Sequence, residues 1–144
     1  MIYLDTSALL KLYIRENGSS RVQELISQQD DPLPLTDILE MELTNALRLK
    51  VYWQEITVAQ ADEQLAFLAD RKRRGLYVVP EVSRAALMAT FRNLSSLTPE
   101  LGCRTMDILH VAWAKQLQVT SFISFDQRQI ALAQRAALKV VILT

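Results

Sequence analysis

At 144 residues the chain is one domain's worth of polypeptide, long enough to bury a sizeable core. Half of its residues are hydrophobic and 22% are charged, a balance that excludes intrinsic disorder. The 16 basic and 16 acidic residues cancel. That excludes a broadly basic surface built for polyanions, so a nucleic-acid partner would have to be held by a local patch or by metal.

Cys103 is the only cysteine, so no internal disulfide can form; core filling and an intracellular home are the expected reading. The N-terminus lacks the basic start, apolar stretch and cleavage site of a signal peptide. Apolar runs are interrupted before the roughly 18 residues a membrane span needs. No repeat, low-complexity tract or linker divides the chain. The expectation is a soluble, cytoplasmic protein with a single domain over residues 1–144 and no membrane association.

In chain order, Ile2–Leu4 reads as a short buried strand, followed by a helix from about Thr6 to Arg15. "ENGSS" breaks that helix, with Gly18 at its end and Ser19 or Ser20 as the next N-cap. A short helix carries Val22, Leu25 and Ile26 on one side. "DDPLPLTD" is a turn, an extended piece and an N-cap at Thr36 or Asp37, opening a helix from Ile38 to Trp53. Thr57 caps the next helix, where Val58, Ala61, Leu65 and Leu68 recur at helical spacing before "RKRRG" ends it. "LYVVP" is a strand, and Leu87, Phe91 and Leu94 mark another helix. Thr105 can cap a helix through Leu117, "SFISF" is a strand, Asp126 to Ala137 is helical, and "KVVIL" closes as a strand.

Strands alternating with helices imply an α/β sandwich with a short, mostly parallel central sheet of four to five strands and helices on both faces. In such sheets ligands bind beyond the carboxyl ends of the strands. Asp5 stands at one of those ends, directly after "IYL", and Asp126 repeats the arrangement after "SFISF". Asp107 lies in the first turn of the "TMDILHVAWA" helix. Each alone is explained by capping or by the helix dipole. Together they are less ordinary, because Glu100, Asp107 and Asp126 are the only acids after Glu81, and two of the three open helices. Glu42 sits mid-helix among Met41, Leu43, Ala46 and Leu47, a poor place for a solvated charge. Glu40 points about 160° away from it and reads as solvent-facing.

Carboxylates crowded into one pocket repel one another and call for a cation. Hard oxygen ligands suit Mg²⁺ or Mn²⁺, ions suited to phosphodiester hydrolysis. His110 is the only histidine, so no His/Cys set exists for zinc, and no nucleophile motif accompanies it.

Four motifs then coincide in order: "IYLDTSALLKLY", "EMELTNALR", "RTMDILHVAWA" and "FISFDQRQIALA". Over nearly the whole chain the sequence resembles the PIN-domain ribonucleases, specifically the VapC-type toxins of toxin–antitoxin pairs. The resemblance implies a PIN-like sandwich and makes Asp5, Glu42, Asp107 and Asp126 an acidic catalytic and metal site for Mg²⁺ or Mn²⁺. It gives Ser7, Ser124 and Arg104 parts in positioning substrate or water. Asn45 matches a frequent family position without a defined role, and His110 matches a residue read as structural. The implied activity is metal-dependent hydrolysis of RNA, and the implied partners are a VapB-like antitoxin and a second copy in a homodimer.

"RKRR" at 71–74 is either an RNA-gripping patch or an ordinary solvated helix end, while Arg104 and Arg128 lie closer to the acids in sequence. Tyr13 and Trp53 either complete the core or serve an interface. A receiver domain would need an acidic pair after its first strand, and a haloacid-dehalogenase phosphatase an Asp where Ser7 stands. The competing reading is a PIN fold that binds RNA or a partner without cutting.

Overall fold

The computed structural model describes residues 1–143. In chain order its elements are β1 (Ile2–Leu4), α1 (Thr6–Leu9) running into a 3-10 turn (Leu10–Leu12), α2 (Ser19–Ser27), β2 (Leu33–Pro34), α3 (Asp37–Tyr52), α4 (Val58–Arg73), β3 (Tyr77–Val78), α5 (Arg84–Ser95), α6 (Thr98–Leu101), α7 (Thr105–Gln116), β4 (Ser121–Ile123) and α8 (Gln127–Arg135).

β1 and β4 pair in parallel with Leu4 opposite Ile123, and β2 pairs in parallel with β3, Leu33 opposite Tyr77. β1 packs beside β2. Val140 adds a parallel bridge to Phe122, so the "KVVIL" segment contributes one bridge rather than a full strand. The α/β sandwich is as expected, with its central layer divided into two short ladders.

Alternation along β1 explains why both faces are covered. Ile2 and Leu4 enter one core with Leu9, Leu39, Leu43 and Leu47, while Tyr3 enters the other with Phe122, Ile108, Val111 and Leu132. Every residue of β1 is therefore buried. Its carboxyl end is pinned by the Asp5 N–H donating to the Ile123 carbonyl, 3.1 Å.

Several local expectations change. The first helix gives way after Leu9 to the tighter turn, which brings Lys11 to Glu16 (3.2 Å) and Tyr13 into the core. Gly18, not a serine, takes the N-cap of α2. Ser19 instead ties the preceding loop, accepting from the Glu16 N–H and donating to the Ile14 carbonyl. Gly18 has φ +88°, and a Cβ there would lie 2.8 Å from the Phe125 ring, so the position requires glycine on two counts. Arg104, rather than Thr105, holds the N-cap of α7. α6, with Pro99 in its only turn, has no counterpart in the pattern reading.

The cations of "RKRR" all have intramolecular partners. Arg71 lies over the Phe67 and Tyr13 rings, Lys72 reaches Glu40 at 2.7 Å, and Arg73 and Arg74 flank Asp70. Glu40 is thus tied to α4 rather than simply facing solvent. Tyr13 belongs to the core, with its hydroxyl 2.6 Å from that of Tyr77, whereas Trp53 is 57% exposed beside Tyr52 at 80%. Cys103 is buried. Among the described residues no helix is long and apolar enough to cross a membrane.

Candidate active site

The carboxyl end of the β1–β4 ladder organises the site. Asp5 is the N-cap of α1 and is completely buried. Its Oδ1 accepts from the Ser7 hydroxyl (2.7 Å) and the Ala8 N–H (2.9 Å), and its Oδ2 accepts from the Ser124 hydroxyl (2.6 Å). Among the described residues, no Lys or Arg forms an ion pair with it. Burial pushes the Asp5 carboxyl above its ordinary range, and the bonds from Ser124, Ser7 and Ala8 only partly offset this.

Ser7 and Ser124 also lock the next strand end. Ser7 Oγ accepts the Phe125 N–H, and Ser124 Oγ accepts the Asp126 N–H, both at 2.9 Å. Asp5 and Asp126 therefore leave the same edge of a parallel ladder, linked through one hydroxyl. Asp126 in turn caps α8, its Oδ1 accepting the Arg128 and Gln129 N–H groups.

Glu42 approaches from the middle of α3. Its Oε2 accepts from Thr6 Oγ1 and from His110 Nε2, each at 2.5 Å. The other imidazole nitrogen, Nδ1, lies 2.9 Å from the Tyr3 hydroxyl. Burial keeps that phenol protonated by pushing its pKa far up, and at the other nitrogen Nε2–H donates to the Glu42 carboxylate, which can only accept. Burial alone would raise the Glu42 pKa; the His110 and Thr6 bonds, with the Arg104 charge, reverse the balance and hold it below the usual range.

Asp107, in the first turn of α7, accepts the Arg104 backbone N–H at 2.8 Å and the Gln129 side-chain amide at 3.3 Å. The Arg104 guanidinium spans the acids: Nε is 3.5 Å from Asp107 and Nη2 is 3.8 Å from Asp126. Ser124 thus links Asp5 to Asp126, Arg104 links Asp126 to Asp107, and Thr6 joins Glu42 to the Asp5 end of the ladder. Asn45 is exposed and makes no hydrogen bond to the acids among the described residues. Thr6, Tyr3, His110 and Gln129 join the site although the sequence pattern assigns them no part in it. Thr6 follows Asp5 directly and Gln129 stands three after Asp126, but the Glu42–His110 contact spans 68 residues and has no sequence signal.

Among the described residues no three His, Cys, Asp or Glu side chains converge tightly enough to hold a metal ion as they stand. The donor set nevertheless suits a hard divalent cation. All four groups are carboxylates, and a fully buried carboxylate without a cationic partner is costly. The Gln129 Oε1 is likewise buried beside Asp107 with no hydrogen-bond partner.

Residues 2–135 match the PIN domain family. The chain belongs to it. This PIN domain is 27% identical to Ribonuclease VapC35 of Mycobacterium tuberculosis, the alignment covering 98% of the chain and 96% of that protein. Among solved structures it superposes on FitAcB from Neisseria gonorrhoeae with a TM-score of 0.68 at 19% identity, covering 99% of the chain and 97% of the other. It also superposes on VapC20 of Mycobacterium tuberculosis, described as a sarcin-ricin loop cleaving toxin, with a TM-score of 0.68 at 14% identity, covering 91% and 94%. VapBC-1 from nontypeable Haemophilus influenzae gives a TM-score of 0.67 at 18% identity, covering 98% and 97%. At these identities the solved structures support the PIN fold itself.

Proposed function

We propose that this PIN domain, a single domain over residues 1–144, is a metal-dependent endoribonuclease and the cytoplasmic toxin of a toxin–antitoxin pair. The observation that carries the reading is a chain of contacts among the acids: Ser124 links Asp5 to Asp126, Arg104 links Asp126 to Asp107, and Thr6, next to Asp5, holds Glu42. The relatedness to a protein named Ribonuclease VapC35 supports it.

Mg²⁺ or Mn²⁺ held by these four acids would supply charge stabilisation and a more acidic bound water for RNA hydrolysis. The chain's own residues provide the framework. Ser7, Ser124 and the Ala8 N–H fix both oxygens of Asp5, so little side-chain freedom is lost when it takes up a ligand. His110 and Thr6 orient Glu42 and keep it ionised. The exposed Arg104 guanidinium lies within reach of a substrate phosphate at the acids. A VapB-like antitoxin and a second copy are the proposed protein partners. The exposed Met41, Tyr52 and Trp53 give α3 and its end apolar surface for such contacts.

A second reading, a PIN fold that binds RNA or a partner without cutting, is favoured by the looseness of the acids as a metal cage. Metal-dependent cleavage by the wild type separates the two, and Asp107→Asn assigns that cleavage to the acids. On the proposed function the purified variant keeps the wild-type circular-dichroism spectrum and loses Mn²⁺-dependent cleavage of single-stranded RNA. Cleavage retained at the wild-type rate would reject the acidic site.

A further inference from the structure

Arg104 is a cation already inside the acidic cluster, on a long side chain that is 70% exposed. Its guanidinium touches Asp107, which is nearly buried, and Asp126, which is partly open, at 3.5 and 3.8 Å. These are long contacts, each weak by itself and open to screening. Its backbone N–H is held separately by Asp107 Oδ2 at 2.8 Å, so the N-cap of α7 does not depend on the side chain. The head group can therefore leave without unravelling the helix. On the same Asp107, the Gln129 amide nitrogen donates to Oδ1, while the buried Gln129 Oε1 has no hydrogen-bond partner. The guanidinium makes no hydrogen bond to that oxygen, an acceptor of the kind that suits a cation's water shell. Arg128, equally near in sequence, makes no ion pair with any acid among the described residues.

We propose that Arg104 is an internal counter-cation. It holds Asp107 and Asp126 together in the cation-free protein and competes with a divalent cation for them. The inference rests on the acidic site proposed above. It makes the side chain a built-in brake: cation entry displaces the guanidinium, which then stands free at the rim of the site.

The test is Mn²⁺ binding by isothermal titration calorimetry on purified wild type, Arg104→Ala and Arg128→Ala, with thermal melting of the cation-free proteins alongside. Arg104→Ala should bind Mn²⁺ about threefold to tenfold more tightly, the size of one or two screened charge contacts, and melt lower without Mn²⁺. Arg128→Ala should match wild type in both. Arg104→Lys, which keeps the charge on a head group without the planar fork, should fall between wild type and Arg104→Ala. Unchanged or weaker Mn²⁺ binding by Arg104→Ala, or an equal gain in Arg128→Ala, overturns the inference while leaving the site standing. Absence of Mn²⁺ binding from wild type and variants alike overturns the site, and the inference with it.

Discussion

Replacing Asp5 by Asn should make the cation-free protein more stable while abolishing its activity. The substitution keeps the shape and most of the bonding. Oδ1 still accepts from Ser7 and the Ala8 N–H, and the new amide nitrogen can donate to Ser124 Oγ, whose own proton loses Oδ2 as its acceptor. The three hydrogen bonds lose their charge assistance, about 1 kcal/mol each. Against this, a buried carboxylate with no cationic partner is replaced by a neutral group, relieving a desolvation penalty of several kcal/mol. Burial is the largest influence on Asp5 and leaves its pKa raised, so the relief outweighs the loss. A net gain on the order of 1 kcal/mol follows, about 4 °C in melting temperature for a chain of this size. The pH dependence has a definite sign. The folded-state pKa lies above the ordinary 3.8. The contribution of this group to wild-type stability is therefore complete below about pH 3.8 and is lost as pH rises through the folded value. The advantage of Asp5→Asn should grow across that window and then level off. Differential scanning calorimetry of both proteins in EDTA from pH 4 to pH 8 measures it. A variant less stable than wild type at pH 7, or an advantage that shrinks as pH rises, would refute the reasoning.

His110→Ala leaves a cavity and deprives both Glu42 and Tyr3 of their shared partner. Urea unfolding should show a loss of about 2–4 kcal/mol, and cleavage should fall further than residual folding explains. The same network predicts acid sensitivity: the Glu42 pKa is lowered on folding, so its stabilising contribution is present above its ordinary 4.5 and lost as pH falls through the folded value. Gly18→Ala forces a side chain into a left-handed backbone position and against the Phe125 ring. Thermal melting should register a loss of about 1–3 kcal/mol.

Legibility in the sequence tracked the range of the interactions. Asp5 and Asp126 stood out because a carboxylate directly after a short apolar strand is unusual, and parallel pairing places both at one edge. Thr36 and Thr57 were readable as caps because the interaction spans three residues, and both accept the expected N–H. The break after Leu9 was hidden, since Leu10, Leu12 and Ile14 continue an apolar run that suits a helix equally well. The division of the central layer into two ladders was hidden too, because β2 and β3 are two residues each and carry no periodicity. Most of the support around the acids is long-range: Ser124 reaches Asp5 across 119 residues and His110 reaches Glu42 across 68. The resemblance of motifs located the acids; only the fold shows what orients them.

The most direct test of the central claim is cleavage of a mixed-sequence single-stranded RNA by purified, partner-free protein in EDTA, then with Mn²⁺ restored, beside Asp5→Asn. The acidic-site account predicts no cutting in EDTA, recovery on adding Mn²⁺, and none from the folded variant under either condition. Cutting that persists in EDTA, or that survives Asp5→Asn, would contradict it.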